Sequence, residues 1–288
     1  MTHTGATRPA VHHFEDFHAG QTFTSGERLV TAADLETFAA LSGDTHPLHT
    51  DPAYAAETGF GAPVLHGPFG LAVFFGLYHD LGLATDAVIG LLDTDWKYRK
   101  PIYVGDTLHF HMTITGCRRT SSRRQGVVRR QVRLLNQRDE VVQEGSTSVL
   151  VRARTDGPDP AHLAFATLPW GKALAALLGS DTRFTASLGS WDGTIGLRCD
   201  DREVQLRIYK GQIIDTARRV PHGATFTLCA DGLTWADLVT GETNDYMRRA
   251  IAGQFTVTGD GYEYLRLNKA LFLLFEHARR LACEGSLV

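Results

Sequence analysis

Cysteine is scarce in this sequence, with four residues in 288: Cys117, Cys199, Cys229 and Cys283. No two form a C-x-x-C pair and no histidine stands at ligand spacing beside them. That excludes a thiolate zinc site and reads as isolated thiols in a reducing compartment. Long apolar runs are also missing: the longest, Leu71 to Tyr78, falls far short of the roughly 20 residues that cross a bilayer. No membrane span is expected. The first 13 residues are polar and lack the apolar stretch of a signal peptide, so the expected location is cytoplasmic. An excess of charge is absent as well, since 29 Lys plus Arg against 32 Asp plus Glu leave a net charge of −3. Basic and acidic residues stay near balance in both halves, which excludes a nucleic-acid partner that must be met with many cations. What remains is a chain with 43% hydrophobic and 21% charged residues, enough apolar surface to fold and too much for disorder. Its length suits two domains.

The stretch from Arg152 to Pro160 supplies the seam. It holds Gly157, Pro158 and Pro160 in a polar run after a strand-like segment, so it reads as a linker between domains at 1–155 and 161–288. Before it, Thr31 caps a helix whose apolar stripe is Leu35, Phe38, Ala39 and Leu41, and Gly43 ends it. A loop from Asp44 to about Pro63 follows. The next helix, from Gly67 to Tyr78, is apolar on every side and is expected to be buried all round. Strands are then expected at Trp96–Pro101, Thr107–Thr115, Val127–Leu135 and Val141–Arg152. One wholly apolar helix followed by long antiparallel strands points to a curved sheet wrapped around that helix.

After the seam, a helix is expected at Leu163–Leu178. Short strands follow at Gly193–Cys199, Glu203–Ile208, Gln212–Thr216 and Thr225–Cys229, then helices at Leu233–Val239 and Asn244–Ile251. A strand at Gln254–Val257 precedes a long terminal helix, Tyr262–Ala282, with Leu265, Leu267, Leu271, Leu274 and Phe275 on its apolar face. This is a second α+β domain.

The chemistry concentrates at Leu41-Ser-Gly-Asp-Thr-His-Pro-Leu-His-Thr-Asp51. Asp44 and His49 stand five apart on a Pro-stiffened loop just after a helix end. A carboxylate and an imidazole so placed can hold one water between them, which suits adding or removing water by general acid–base catalysis. They can equally be a turn aspartate bonding its own backbone and a half-buried, satisfied histidine.

The segment resembles the signature of the MaoC-like, (R)-specific enoyl-CoA hydratase family, S-G-D-x-N-P-L-H-x-D, standing here as Ser42-Gly-Asp-Thr-His-Pro-Leu-His-Thr-Asp51. The family's F-G-x-P-[IV]-x-H-G is similar to Phe60-Gly-Ala-Pro-Val-Leu-His-Gly67. Its P-[VI]-x-x-G-D-T-L is similar to Pro101-Ile-Tyr-Val-Gly-Asp-Thr-Leu108. The three blocks occur in the family's order within residues 12–152. The resemblance implies a hot-dog domain, an antiparallel sheet around a central helix, and reversible hydration of trans-2-enoyl thioesters to (R)-3-hydroxyacyl thioesters. It gives Asp44 and His49 the water. The enolate oxygen goes to a helix-start N–H, placed here at Gly67, with His66 either supporting it or simply packed. The sequence departs from the family in having His46 for its Asn, and Gly70-Leu-Ala72 where some members carry a Ser. No metal is expected, and no cofactor beyond the coenzyme A or acyl carrier protein that forms part of the substrate. A single hot-dog unit usually pairs with a second copy, so a homodimer is expected.

An arginine-rich stretch, Cys117 to Arg133, reads either as a contact for coenzyme A phosphates or an acidic carrier protein, or as a solvated hairpin. Arg99 and Lys100 are further candidate phosphate contacts. In the second half, Ala224 to Glu242 and Ala250 to Asp260 resemble the sterol carrier protein 2-like family, with its W-x-x-L-x-x-G turn and G-x-[FIL]-x-[VI]-x-G-D strand. That implies a smaller α+β domain with an apolar tunnel for a lipid tail, for which Trp235 and Phe255 are candidate lining, or else plain core. Two rivals remain open: a hot-dog acyl-thioester hydrolase, since fold alone does not fix the chemistry, and a non-catalytic lipid or acyl-binding protein.

Overall fold

Thr31 opens the first helix as expected, because its hydroxyl accepts from the Asp34 N–H while the Asp34 carboxylate takes the Thr31 N–H. In the computed structural model, which describes residues 12–83, 86–156 and 165–284, two short strands precede that helix. They are β1 (Thr22–Thr24) and β2 (Arg28–Leu29), and the helix is α1 (Ala32–Ser42). Two single turns follow, α2 (Pro47–Thr50) and α3 (Pro52–Ala56), then α4 (Gly67–Asp80). The long strands are β3 (Val88–Tyr98), β4 (Thr107–Arg119), β5 (Gln125–Leu135) and β6 (Val141–Arg152). They form one six-stranded sheet in the order β1-β4-β5-β6-β3, with β2 also paired to β4. The β2–β4 and β3–β6 pairs are antiparallel. β3 begins eight residues earlier than the sequence pattern placed it, because its alternation is hidden: Ile89, Leu91 and Leu92 are all exposed.

The chain divides into two compact units. One is formed by residues 12–13, 22–112 and 130–152, the other by 14–21, 113–129 and 153–284. In the first, α4 packs on the inner face of the sheet: Phe69, Val73, Phe74 and Leu77 join Phe110, Met112, Val132, Leu134 and Val142 in one core. Phe74 stands 5.0 Å from the Phe110 ring and 5.7 Å from Trp96. Contrary to expectation, α4 is not buried all round, for Pro68, Ala72 and Gly76 are exposed along one side. Those residues are small or cyclic and recur every four positions, so a face reading as apolar carries little area to bury. Leu41, expected in the stripe of α1, is 81% exposed, and only Ala39 of that helix is buried.

The C-terminal part of the second unit opens with α5 (Leu168–Ser180) and α6 (Thr182–Leu188). There follow β7 (Gly193–Cys199), β8 (Arg202–Tyr209), β9 (Gln212–Ala217) and β10 (Phe226–Ala230). The remainder is α7 (Gly232–Thr240), α8 (Tyr246–Ile251), β11 (Thr256–Gly259), α9 (Gly261–Arg266) and α10 (Asn268–Glu284). Its five strands run β11-β10-β7-β8-β9, and β10 lies parallel to β7. The terminal helix is in fact two, broken at Leu267. Asp260 caps the first through its carboxylate, and that break turns Leu265 outward to 62% exposure while Leu267 stays buried. Part of the expected linker, Gly157, Pro158 and Pro160, and the start of the expected helix at Leu163 lie outside the described residues.

Two arginines of the arginine-rich stretch lie on the covered side of its alternating strands. Arg119 is 7% exposed and reaches Glu15 at 2.9 Å and the Thr155 carbonyl at 2.6 Å. Arg130 is fully buried, its guanidinium 4.5 Å from the Tyr78 ring centroid, with Nε donating to Thr147 Oγ1. Arg130 Nη1 and Nη2 meet ring faces and no hydrogen-bond acceptor among the described residues, and such burial leaves a sequence signature no different from a charged surface. Cys117 and Cys199 are buried, and burial pushes the Cys199 thiol up to about 12.

Candidate active site

Gly43 ends α1 in the left-handed region, at φ 72°, and its N–H returns to the Ala39 carbonyl. That turn throws Asp44 out of the helix onto the loop. The Asp44 side chain remains 53% exposed, and its Oδ1 accepts from the His46 N–H at 3.2 Å. His46 then caps α2: its Nδ1 accepts from the Leu48 N–H at 3.1 Å, and Pro47 supplies the preset first position. His46 thus keeps an acceptor on the second side-chain atom beyond Cβ, where the family's Asn carries its amide oxygen. Asp51, followed by Pro52, caps α3 in the same way, accepting from the Ala53 and Tyr54 N–H groups. The repeated pairing of a cap residue with proline was the signal for these two turns inside what the sequence pattern left as a loop.

One turn of α2 places His49 over the site. Its Nδ1 lies 2.7 Å from the Val64 carbonyl oxygen. A carbonyl only accepts, so Nδ1 carries the proton in the neutral ring and Nε2 presents a lone pair. That carbonyl is itself fixed, because Val64 bridges to Tyr103 and the Leu65 N–H donates to the Ile102 carbonyl at 2.8 Å. His66 is oriented by the same logic in the opposite sense: Nε2 donates to the Asp44 carbonyl at 2.8 Å. It is 3% exposed, and its ring stacks on His49 with centroids 3.8 Å apart. Asp44 Oδ2 then stands 3.8 Å from His49 Nε2 and 4.0 Å from His66 Nε2. The first gap is too wide for a direct hydrogen bond, and one water oxygen at about 2.8 Å from each partner can span it.

The start of α4 completes the arrangement. His66 is its N-cap residue without a side-chain cap, and Gly67 is the first helical residue. The Gly67 N–H points out of the helix end with no partner among the described residues, as the first N–H groups of any helix do. The Gly67 carbonyl accepts from Gln143 Nε2 at 2.9 Å, and Gln143 Oε1 accepts from the Trp96 indole at 2.7 Å. A Cβ at Gly67 would sit 3.2 Å from the Tyr98 ring, and one at Gly70 would collide with the Gln143 carboxamide. Gln143 and Trp96 anchor the helix start, and Val64 fixes the imidazole. Sequence reasoning missed all three, for they act through a backbone oxygen or a helix carbonyl and belong to no short motif.

Donor atoms of Asp44, His49 and His66 all lie within 4.8 Å of one another, a spacing that could serve a cation. His66 Nε2 spends its proton on the Asp44 carbonyl and has no lone pair to offer there, so only two donors face the gap. That is fewer than the three or four protein ligands of a tetrahedral site. The structure therefore brings together Asp44, His49, His66 and Gly67. Arg99 and Lys100 are each paired, with Glu144 at 2.7 Å and Glu140 at 2.7 Å. Trp235 and Phe255 lie in the packed core of the second unit, 0% and 3% exposed, with ring centroids 5.5 Å apart.

The family described as MaoC like domain matches residues 16–135. An (R)-specific enoyl-CoA hydratase of Rhodospirillum rubrum is 32% identical over 106 residues, which make up 37% of this chain and 72% of that protein. The chain belongs to the MaoC-like family. A second (R)-specific enoyl-CoA hydratase, from Aeromonas caviae, is 36% identical over 87 residues, 30% of this chain and 63% of that protein. The chain spans less than two thirds of several curated relatives, 32% of the Klebsiella aerogenes Protein MaoC and 12% of the Mus musculus Peroxisomal multifunctional enzyme type 2 among them. A crystal structure of a MaoC domain protein from Chloroflexus aurantiacus superposes with TM-score 0.51 at 22% identity, over 67% of this chain and 61% of that one, and shows the hot-dog fold. A sterol carrier protein 2 structure aligns with 40% of this MaoC-like chain and 97% of its own length, at TM-score 0.35 and 18% identity.

Proposed function

We propose that this MaoC-like chain is a hydro-lyase that reversibly hydrates trans-2-enoyl thioesters to (R)-3-hydroxyacyl thioesters. The observation that carries the reading is the tautomer of His49: its Nδ1–H is held by the Val64 carbonyl, so Nε2 faces Asp44 Oδ2 as a base across a gap of one water. In the hydration direction, Asp44 and His49 hold that water and take its proton as its oxygen bonds to C3. The C2–C3 electron pair moves toward the thioester, whose oxygen gains charge beside the Gly67 N–H. Protonation at C2 then completes the addition. A general acid–base pair of this kind contributes roughly 10²–10⁴-fold, and one oxyanion donor contributes a comparable factor.

No cofactor enters this scheme apart from the coenzyme A or acyl carrier protein of the substrate. The thioester chemistry is assigned to residues 1–155 and a lipid-holding role to 161–288. The working form is read as a cytoplasmic homodimer: β3 is an edge strand of its sheet, and it exposes Ile89, Leu91 and Leu92, a pattern that invites pairing with a second copy. No helix among the described residues is long and apolar enough to cross a membrane.

The test is incubation of the full chain with crotonyl-CoA. Loss of the conjugated enoyl absorbance with formation of (R)-3-hydroxybutyryl-CoA is expected. Release of free coenzyme A in place of a hydrated product would replace this reading with a thioester hydrolase, and no turnover of any enoyl or 3-hydroxyacyl thioester would leave a binding protein.

A further inference from the structure

Four arginines of the second unit line one cleft of about 700 Å³. Arg118 stands near the end of β4 and Arg202 begins β8, while Arg218 and Arg219 lie on the connection from β9 to β10. That connection is shaped from beneath. The buried Gln205 accepts from the Val220 N–H at 2.8 Å, and Gly223, at φ 71°, closes a turn by donating to the Val220 carbonyl at 3.0 Å. The backbone just after Arg218 and Arg219 is thereby fixed.

Arg118, Arg218 and Arg219 are exposed and have no hydrogen bond or ion pair among the described residues. Arg202 keeps a buried Nε without a partner, although its Nη2 lies 3.8 Å from Asp200. Two carboxylates, Asp201 and Glu203, share the lining, and Glu203 is engaged by Gln205 Nε2 at 2.7 Å. Arg202 is further engaged through Nη2 by Cys199 Sγ at 3.5 Å, so the lining holds three unpaired arginines against two carboxylates, one of them already occupied. Thr167 and Leu168 bring in the N-terminus of the 13-residue helix α5, whose dipole favours an anion. Arginines elsewhere in this chain, such as Arg183, Arg248 and Arg266, are paired with neighbouring carboxylates. The convergence of unpaired ones on a single concavity is what sets this cleft apart.

We propose that the cleft binds the phosphate group of a phosphorylated small molecule or lipid headgroup. Guanidinium forks match the several acceptor oxygens of a phosphate, and three free forks exceed what one carboxylate can engage. The volume falls in the range of roughly 300–1,000 Å³ typical of small-molecule sites, so there is room for an organic body beyond the phosphate. Ala166, Leu168 and Ala224 give that body an apolar lining. This goes beyond the thioester chemistry and uses none of its residues. It also explains one arginine of the 117–133 stretch that neither the active site nor the buried core has absorbed.

The experiment is isothermal titration of the full chain with sodium pyrophosphate at low salt. Saturable binding at one site is expected, weakened at least about tenfold in R218Q/R219Q and less in R118Q. A charge-matched control, R138Q/R248Q, should bind like the parent, and crotonyl-CoA turnover should be unchanged in R218Q/R219Q. Flotation with phosphatidic acid vesicles, but not phosphatidylcholine ones, would assign the phosphate to a lipid headgroup; absence of flotation with pyrophosphate binding intact would assign it to a soluble ligand. Lack of saturable pyrophosphate binding, or equal losses in both double variants, would overturn the proposal.

Discussion

In the first unit, His49 and His66 are each held by one hydrogen bond to a backbone carbonyl, of Val64 and of Asp44. In the second, Trp235 is held mainly by four aromatic rings, those of Phe165, Trp170, Phe255 and Phe275, within 5.5–6.1 Å. Its indole N–H is then satisfied by the Arg198 carbonyl at 3.0 Å. The imidazoles are fixed by direction, and the indole is fixed by volume. A directional constraint specifies which atom faces the substrate and tolerates few replacements. A packing constraint specifies only that space is filled, and many apolar residues meet it. The proposed chemistry accordingly falls where the polar groups have been given orientations.

The contrast can be broken most severely at the site itself. Asp44→Asn and His49→Ala should each lower kcat/KM for crotonyl-CoA by about 10²–10⁴-fold, with thermal unfolding almost unchanged for Asp44→Asn, whose side chain is 53% exposed, and only modestly lowered for His49→Ala, whose ring is 12% exposed and stacks on His66. A loss of folding in either variant would mean these groups are structural. Trp235→Ala should show the reverse, a destabilisation of about 3–5 kcal/mol by denaturant titration with short-chain turnover kept under native conditions. Unchanged stability would show that the aromatic cluster is not a packed core.

Smaller effects sharpen the same comparison. His46→Ala removes the cap of α2 and should cost about 1 kcal/mol, with a several-fold loss of kcat as His49 loosens, whereas His46→Asn should restore both, since Asn offers an acceptor at the same reach. Equal behaviour of the two variants would refute the capping role. In the second unit, Glu15 is partly desolvated, which alone would raise its pKa. The Arg154 and Thr155 N–H groups and the Arg119 guanidinium outweigh that and lower it from 4.5 to about 2. The carboxylate is favoured in the folded state, so its stabilisation is complete above the unfolded value near 4.5 and fades as pH falls from there toward 2. Glu15→Gln should flatten the stability profile in that window, as followed by urea midpoints at stepped pH.

How much of this was legible follows from the same distinction. Asp44 and His49 were legible as a carboxylate and an imidazole on one loop, but residue type and spacing left their role open. It is the resemblance to the MaoC-like family that gave them the water and placed the enolate donor at Gly67. The caps at Thr31 and Gly43 were readable from residue type, as few residues satisfy helix ends. Gln143 and Trp96 could not be read, since they meet α4 across the sheet at long range and serve through one carbonyl. The exposure of Leu41 and Leu265 was equally hidden. Apolar periodicity marks a face without saying whether anything covers it, and in the second case the break at Leu267 interrupts the helix and resets its phase. Burial of Arg130 defied composition altogether, because a guanidinium against an aromatic ring looks like any surface arginine.

The central claim is that Asp44 and His49 act as one device on a shared water. A double-mutant cycle on kcat/KM for crotonyl-CoA, using D44N, H49A and D44N/H49A, tests it most directly. The account predicts that the double variant is scarcely worse than either single one, because removing one partner already disables the pair. Losses that multiply across the two positions would show the residues working independently and would contradict it.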